Sequence, residues 1–174
     1  MFVLACADPL AMACLRMAPP SATPQWYLKI PPPIWTLAML LAAYVMQRSF
    51  AWAQIVYLRS LPIAILWTVA GILLAAWGRN IFAAAGTEIM PTSASNKILV
   101  THGPFRFTRN PMYTGLVLAS AGIALFLGTL PFLIVPVLLF IICNFLFIPF
   151  EEAKMRRQFN DQYTEYLRRV RRWI

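Results

Sequence analysis

Residues 61–78 read LPIAILWTVAGILLAAWG, a run without a single charged side chain. A bilayer core takes about 20 helical residues to cross, so this stretch is long enough to span one. Arg79 marks its expected end. Downstream, a second apolar run extends from about Met112 to Leu127 and a third from Leu130 to about Phe150, divided only by the uncharged turn at Gly128 and Thr129. So short a link predicts a tight antiparallel hairpin. Upstream, IWTLAMLLAAYVM follows Pro31 to Pro33 and continues through Gln47 to about Phe50. Each proline ring removes a backbone donor that only the first helical turn can spare, so the proline run fixes where that helix begins.

The whole chain agrees with this reading. It has 174 residues, 60% hydrophobic and 12% charged, with a mean hydropathy of +0.66. An average soluble domain carries roughly 25% charge. So few charges do not cover a water-facing surface, and several spans leave no room for a separate soluble catalytic domain. The expected fold is an all-α integral membrane domain over residues 31–174, with about four transmembrane helices and a cytoplasmic amphipathic C-terminal helix. Residues 1–30 form an N-terminal arm. Its start, MFVLACADPLAMACLRMAPP, is apolar but has no positively charged leading segment, which favours a poorly ordered or interfacial arm over a cleaved signal.

The net charge of +9 is distributed in short segments beside the apolar runs, a pattern that points to anionic lipid headgroups as partners and not to nucleic acid. The loop from 79 to 111 carries Arg79, Lys97, Arg106 and Arg109, and the stretch after Phe150 carries seven more Lys and Arg residues. The link between the last two spans has none. The positive-inside rule therefore places the 79–111 loop, the tail and, with four spans, both termini in the cytoplasm. Cys6, Cys14 and Cys143 form neither an even framework nor a ligand spacing, so neither a disulfide scaffold nor a metal site is expected.

Gly115, Ala119 and Gly122 recur at helical spacing and allow a neighbouring helix to approach closely. In the tail, Met155, Phe159, Tyr163, Tyr166 and Val170 form an apolar stripe among basic residues, which predicts an amphipathic helix on the membrane interface.

The chemically versatile residues are concentrated in KILVTHGPFRFTRNPMYTG, Lys97 to Gly115, and in Glu151 and Glu152 after the hairpin. His102-Gly103-Pro104 reads as a turn. Asn110-Pro111 reads as a helix start, with Asn as N-cap and Pro at the first helical position. That accounts for both residues without catalysis, but it also aims a partly positive helix end at the interface beside Arg106 and Arg109, an anion site in the making. Glu151 and Glu152 suit the first turn of a helix, yet two adjacent carboxylates beside FLFIPF incur a desolvation cost that a cationic or polyhydroxyl ligand would offset. His102 is a turn residue or a base, and Phe105, Phe107 and Tyr113 are a ligand wall or an interfacial aromatic belt.

Taken in order, LVTHGPFRFTRNPMYTG and EEAKMRRQFNDQYTEYLRRVRRW resemble the C-terminal half of the isoprenylcysteine carboxyl methyltransferases and the related phospholipid methyltransferases. The resemblance covers roughly residues 86 to 174. It implies an S-adenosylmethionine-dependent membrane methyltransferase with cofactor-site motifs in 97–115 and 151–166, whose cofactor pocket is lined by Lys97, Ile98, Leu99, Val100, Phe105, Asn110, Pro111, Met112, Tyr113 and Glu151. Arg109 and Glu152 occupy the remaining motif positions and are the implied catalytic pair. The acceptor is a lipid or a small membrane-accessible molecule, entering sideways from the bilayer.

Two positions depart from the family pattern. Asn110 stands where the Arg-His-Pro motif has His, and an amide does not titrate, so a proton acceptor there is excluded. Phe147 stands where the eukaryotic prenylcysteine enzymes have the arginine that holds the substrate carboxylate. A carboxylate nucleophile is already anionic at neutral pH, whereas an amine must lose a proton. The scarcity of bases points towards O-methylation, with Glu152 or His102 as the groups available to an amine. The rivals are a phospholipid N-methyltransferase and, in another class, a small transporter or structural membrane protein. The latter calls for functional polar groups within the spans, where little stands beyond Thr68, Ser120 and Asn144.

Overall fold

The helix that follows the proline run, α1 (Pro32–Ser49), begins with Pro32 in its first turn, where the missing N–H costs nothing. It leads through a 3-10 turn, Ala51–Gln54, and an extended link to α2 (Leu61–Ala84). A loop and a second 3-10 turn, Gly103–Arg106, precede α3 (Pro111–Leu127). Then come α4 (Leu130–Ile142), one π-helical turn, Cys143–Phe147, and α5 (Ile148–Arg169). This computed structural model describes residues 29–86 and 98–174. Almost all of the N-terminal arm, with Cys6 and Cys14, and Lys97 lie outside the described residues. Among the described residues there is no strand, only two isolated bridges, Val56 with Thr129 and Thr108 with Arg171.

Helices stand at all four expected places, and two helical stretches, Leu61–Ala84 and the continuous run Leu130–Arg169, are long and apolar enough to cross a bilayer. Pro111–Leu127 is a shorter apolar helix. Large side chains face outward without a polar cover: Leu37, Leu66 and Leu73 are all more than 60% exposed. In water these faces would be unfavourable, whereas in lipid they are ordinary.

The tightest packing joins α2 to α3. A Cβ added at Gly71 would lie 2.5 Å from the Gly115 carbonyl oxygen, and one at Gly122 would lie 2.5 Å from the Thr68 nitrogen. Only glycine permits that approach, so the Gly115–Gly122 spacing is a helix-packing face. A core of Tyr113, Leu139, Cys143, Phe147 and Ile148 ties α3 to the α4–α5 junction. At the other end of the bundle, the Tyr57 and Leu58 N–H groups donate to the Gly128 carbonyl at 2.8 and 3.2 Å. Gly128 turns there with φ 72°, and a Cβ would collide with the Leu58 oxygen at 2.6 Å.

Three local expectations are corrected. Helix α2 does not stop at Gly78 and Arg79 but continues to Ala84, because nothing there breaks it; Gly86, with φ 60°, is the left-handed residue that follows its end. The apolar run from Leu130 does not end before a separate tail helix. Pro149 lacks the N–H that a regular helix would need, and the chain accommodates this with the π turn, in which the Ile148 N–H bonds the Cys143 carbonyl, and continues into α5. The tail helix is in turn not one straight amphipathic rod, since Asn160 breaks it with φ 42° and ψ −115°.

Candidate functional site

Where α2, the start of α3 and α5 converge, the structure forms a partly enclosed cleft with a cavity of about 80 Å³. Ile98, Leu99 and Val100 enter from the loop, Phe105 from the 3-10 turn, Arg109 to Tyr113 from the first turn of α3, and Glu151 and Glu152 from α5. Apart from Lys97, every residue singled out from the sequence as cofactor-binding or catalytic lines this one cleft. Phe82, Lys154, Met155, Tyr163 and Tyr166 line it as well; the last four fall within the expected 151–166 stretch without having been singled out as site residues, and Phe82 was missed altogether. Phe82 lies on the part of α2 beyond Arg79, and its ring packs 5.0 Å from that of Phe105. Tyr163 and Tyr166 were visible as part of the apolar stripe, but they are buried against the protein instead of facing the interface. The Tyr166 hydroxyl donates to the Phe105 carbonyl at 2.7 Å, which pins α5 over the cleft.

The π turn adds a residue to the helical register, so Glu151 and Glu152 project towards α3. Tyr113 donates its hydroxyl to Glu151 Oε1 at 2.6 Å. Burial pushes the Glu151 carboxyl up to about 7, against the lowering effect of the Tyr113 hydrogen bond and of Lys154, with the neighbouring Glu152 adding to the rise. Burial likewise raises Tyr163 and Tyr166 well above the ordinary phenol range. Glu152 is 7% exposed and lies between two cations: Arg109 Nη2 is 3.4 Å from its Oε1, and Arg172 Nη2 is 2.7 Å from its Oε2.

Several expectations about individual groups change. Asn110 occupies the N-cap position of α3, but its side chain makes no capping bond; Nδ2 donates instead to the Arg172 carbonyl at 2.9 Å. Arg106 and Arg109 do not form one anion site. Arg109 lines the cleft, whereas Arg106 lines a separate polar groove with Gln162 and Arg169. His102 is exposed and outside the cleft, and Phe107 is 70% exposed.

The cleft thus offers carboxylates, an apolar and aromatic wall, and further polar groups, Arg109 among them. Arg109 Nε is buried and has no hydrogen-bond partner, a donor that an acceptor on a ligand would satisfy. A zwitterionic ligand with hydroxyls and a flat ring matches that donor set.

A family model described as Phospholipid methyltransferase matches residues 59–162, which is 104 of the 174 residues. The chain belongs to the phospholipid methyltransferase family. No curated protein and no solved structure gives a match. The match begins just before α2 and ends within α5, so it contains the Asn110-Pro111 motif and both glutamates. Membership in the phospholipid methyltransferase family supports an enzyme of methyl transfer and a membrane protein, in keeping with the long apolar helices.

Proposed function

We propose that the protein is an S-adenosylmethionine-dependent methyltransferase acting on a lipidic or small membrane-accessible acceptor at the cytoplasmic end of a four-span bundle. The observation that carries this reading is the shared cleft of Glu151, held by Tyr113, and Arg109, whose Nε lacks a partner. Glu151 suits ribose hydroxyls or an ammonium, Arg109 a carboxylate, and Phe82, Phe105 and Val100 an adenine face. When bound, S-adenosylmethionine supplies an electrophilic methyl carbon. The protein's part is positioning and exclusion of water, which for an in-line displacement is most of what catalysis requires.

The family description favours a phospholipid amine as a second reading of the acceptor. Phe147 supports it, since that side chain is 1% exposed, packs against Tyr113 and offers no charge to a substrate carboxylate. An amine must shed a proton. Glu152 is occupied by two guanidinium groups and His102 lies elsewhere, so Glu151, with its carboxyl near 7, is the cleft group suited to exchange one.

Calorimetric titration of the detergent-purified protein with S-adenosylmethionine and S-adenosylhomocysteine tests the reading, with micromolar binding expected. A folded protein that binds neither overturns it. Radiolabelled methyl transfer into phosphatidylethanolamine vesicles, set against transfer to a prenylcysteine analogue, then separates the acceptors.

A further inference from the structure

Beyond Tyr166 the chain turns back on itself. Val170 is extended, and the residues after it run beside 108–110. The Arg109 N–H donates to the Arg171 carbonyl at 3.0 Å, and Thr108 Oγ1 and Asn110 Nδ2 both donate to the Arg172 carbonyl. The side chains reach the opposite wall. Arg172 Nε and Nη2 fork onto Glu152 at 3.2 and 2.7 Å, and Nη1 lies 3.4 Å from Asn144 Oδ1. Trp173 Nε1 donates to the same Asn144 oxygen at 3.1 Å, and its ring packs 4.7 Å from that of Phe140. One short segment therefore grips the start of α3 through its backbone and the α4–α5 junction through its side chains.

Arg172 does not line the cleft, and it lies beyond the residues matched by the family model. Its side chain reaches the cleft lining through Glu152. A carboxylate this buried needs compensation, and Arg109 alone gives it one long contact to one oxygen. The Arg172 fork engages both oxygens and so fixes the plane of the carboxylate. With that plane fixed, Nη2 of Arg109 is held against Oε1, which orients the guanidinium of a residue that lines the cleft and whose buried Nε has no partner.

We propose that Arg172 is a positioning residue for the site: through its fork on Glu152 it sets the orientation of Arg109, and so divides the adjacent glutamates between a structural role for Glu152 and a ligand-facing role for Glu151. This rests on the reading that the cleft holds S-adenosylmethionine. Asn144, the polar residue of the π turn, is the second anchor of the same device.

The test is calorimetric binding of S-adenosylhomocysteine to the full chain in detergent, with wild type, Arg172→Ala, Arg172→Lys, Glu152→Gln and the Arg172→Ala/Glu152→Gln double variant. Arg172→Ala is expected to weaken binding by roughly tenfold or more, as loss of a bidentate charge-assisted pair implies. Arg172→Lys, a point charge without the fork, restores only part of it. In the Glu152→Gln background, Arg172→Ala changes little further, because the two side chains act as one unit. A role confined to the backbone strap would leave Arg172→Ala binding like wild type, and a role independent of Glu152 would make the two losses additive; either result overturns the proposal. If Arg172→Ala fails to fold, Arg172→Lys carries the test, and wild-type affinity in that variant overturns the proposal. Failure of the wild type itself to bind is a separate outcome that removes the cofactor reading and this proposal together.

Discussion

At Glu151, stability and function depend on pH with opposite signs. Its carboxyl lies near 7 in the folded protein, above the unfolded value of about 4.3. A raised folded pKa contributes stability that is fully present below the unfolded value and is lost as pH rises through about 7. Ligand groups that need the carboxylate behave the other way, so affinity rises with pH through the same range. Calorimetry of S-adenosylmethionine from pH 6 to 8 should therefore show wild-type affinity increasing and levelling off, and Glu151→Gln should be weaker and flat. The same variant should melt no lower than wild type at pH 8, since it removes a buried charge. A Glu151→Gln protein with wild-type affinity would remove Glu151 from the site. Tyr113→Phe should cost about 1 kcal/mol of binding and move the inflection upward, because the hydrogen bond it removes favours the carboxylate. Glu151 and Tyr113 were legible in the sequence because each sits in a short local motif. The partner of Asn110 was not: an Asn before Pro at a helix start has a complete local explanation, and nothing nearby signals a carbonyl 62 residues away.

Between elements, the glycine face of α2 and α3 determines how the cleft is held. Gly115→Val places atoms where the Gly71 carbonyl and the Ala75 backbone already sit, at a cost of about 1–3 kcal/mol or more, and forces the helices apart. Thermal unfolding in detergent should show a clear drop in midpoint, and an unchanged midpoint would mean that the close approach is wrong. The opposite change is expected within α5. Asn160, at φ 42° and ψ −115°, holds a conformation that suits glycine, so Asn160→Gly should raise the midpoint or leave it unchanged, while Asn160→Val should lower it. The glycine face could be read from spacing because packing of this kind is periodic. The continuity of α4 into α5 could not, since Pro149 ordinarily signals a break and the π turn that absorbs it depends on the packing of Phe147 and Ile148 in the core. The same limit explains the apolar stripe of the tail: the pattern marks a face that must be covered, and the expectation assigned it to the membrane interface, whereas protein covers Tyr163 and Tyr166.

For the molecule as a whole, the level of each loop along the bundle constrains its topology. The 55–60 link rests against the Gly128 turn, while the opposite ends of α2 and α3 meet at the cleft, where Gly78 faces Pro111 and Met112. These two helices therefore join the same two levels, and if α2 crosses a bilayer, α3 crosses with it despite having 17 residues, a rise of roughly 25 Å. The α4 helix returns from the Gly128 turn to the Glu151 level, and α1 packs along it. Among the described residues, Arg48 and Arg59 flank the Gly128 end, while eleven of the chain's 15 Lys and Arg residues fall in the 79–111 loop and the tail of the sequence. On the proposed four-span topology, this charge asymmetry puts the cleft on the cytoplasmic side, and labelling tests that orientation. In a background with Cys6, Cys14 and Cys143 replaced by alanine, Tyr57→Cys should react with a membrane-impermeant maleimide on intact cells. Arg106→Cys and Glu165→Cys, exposed at the cleft end, should react only after permeabilisation. Labelling of residues 57 and 106 from one side would mean that α2 does not cross. Labelling of 106 and 165 from opposite sides would break the α3–α4 hairpin and the four-span reading, because the cleft needs the loop and α5 on the same face of the membrane.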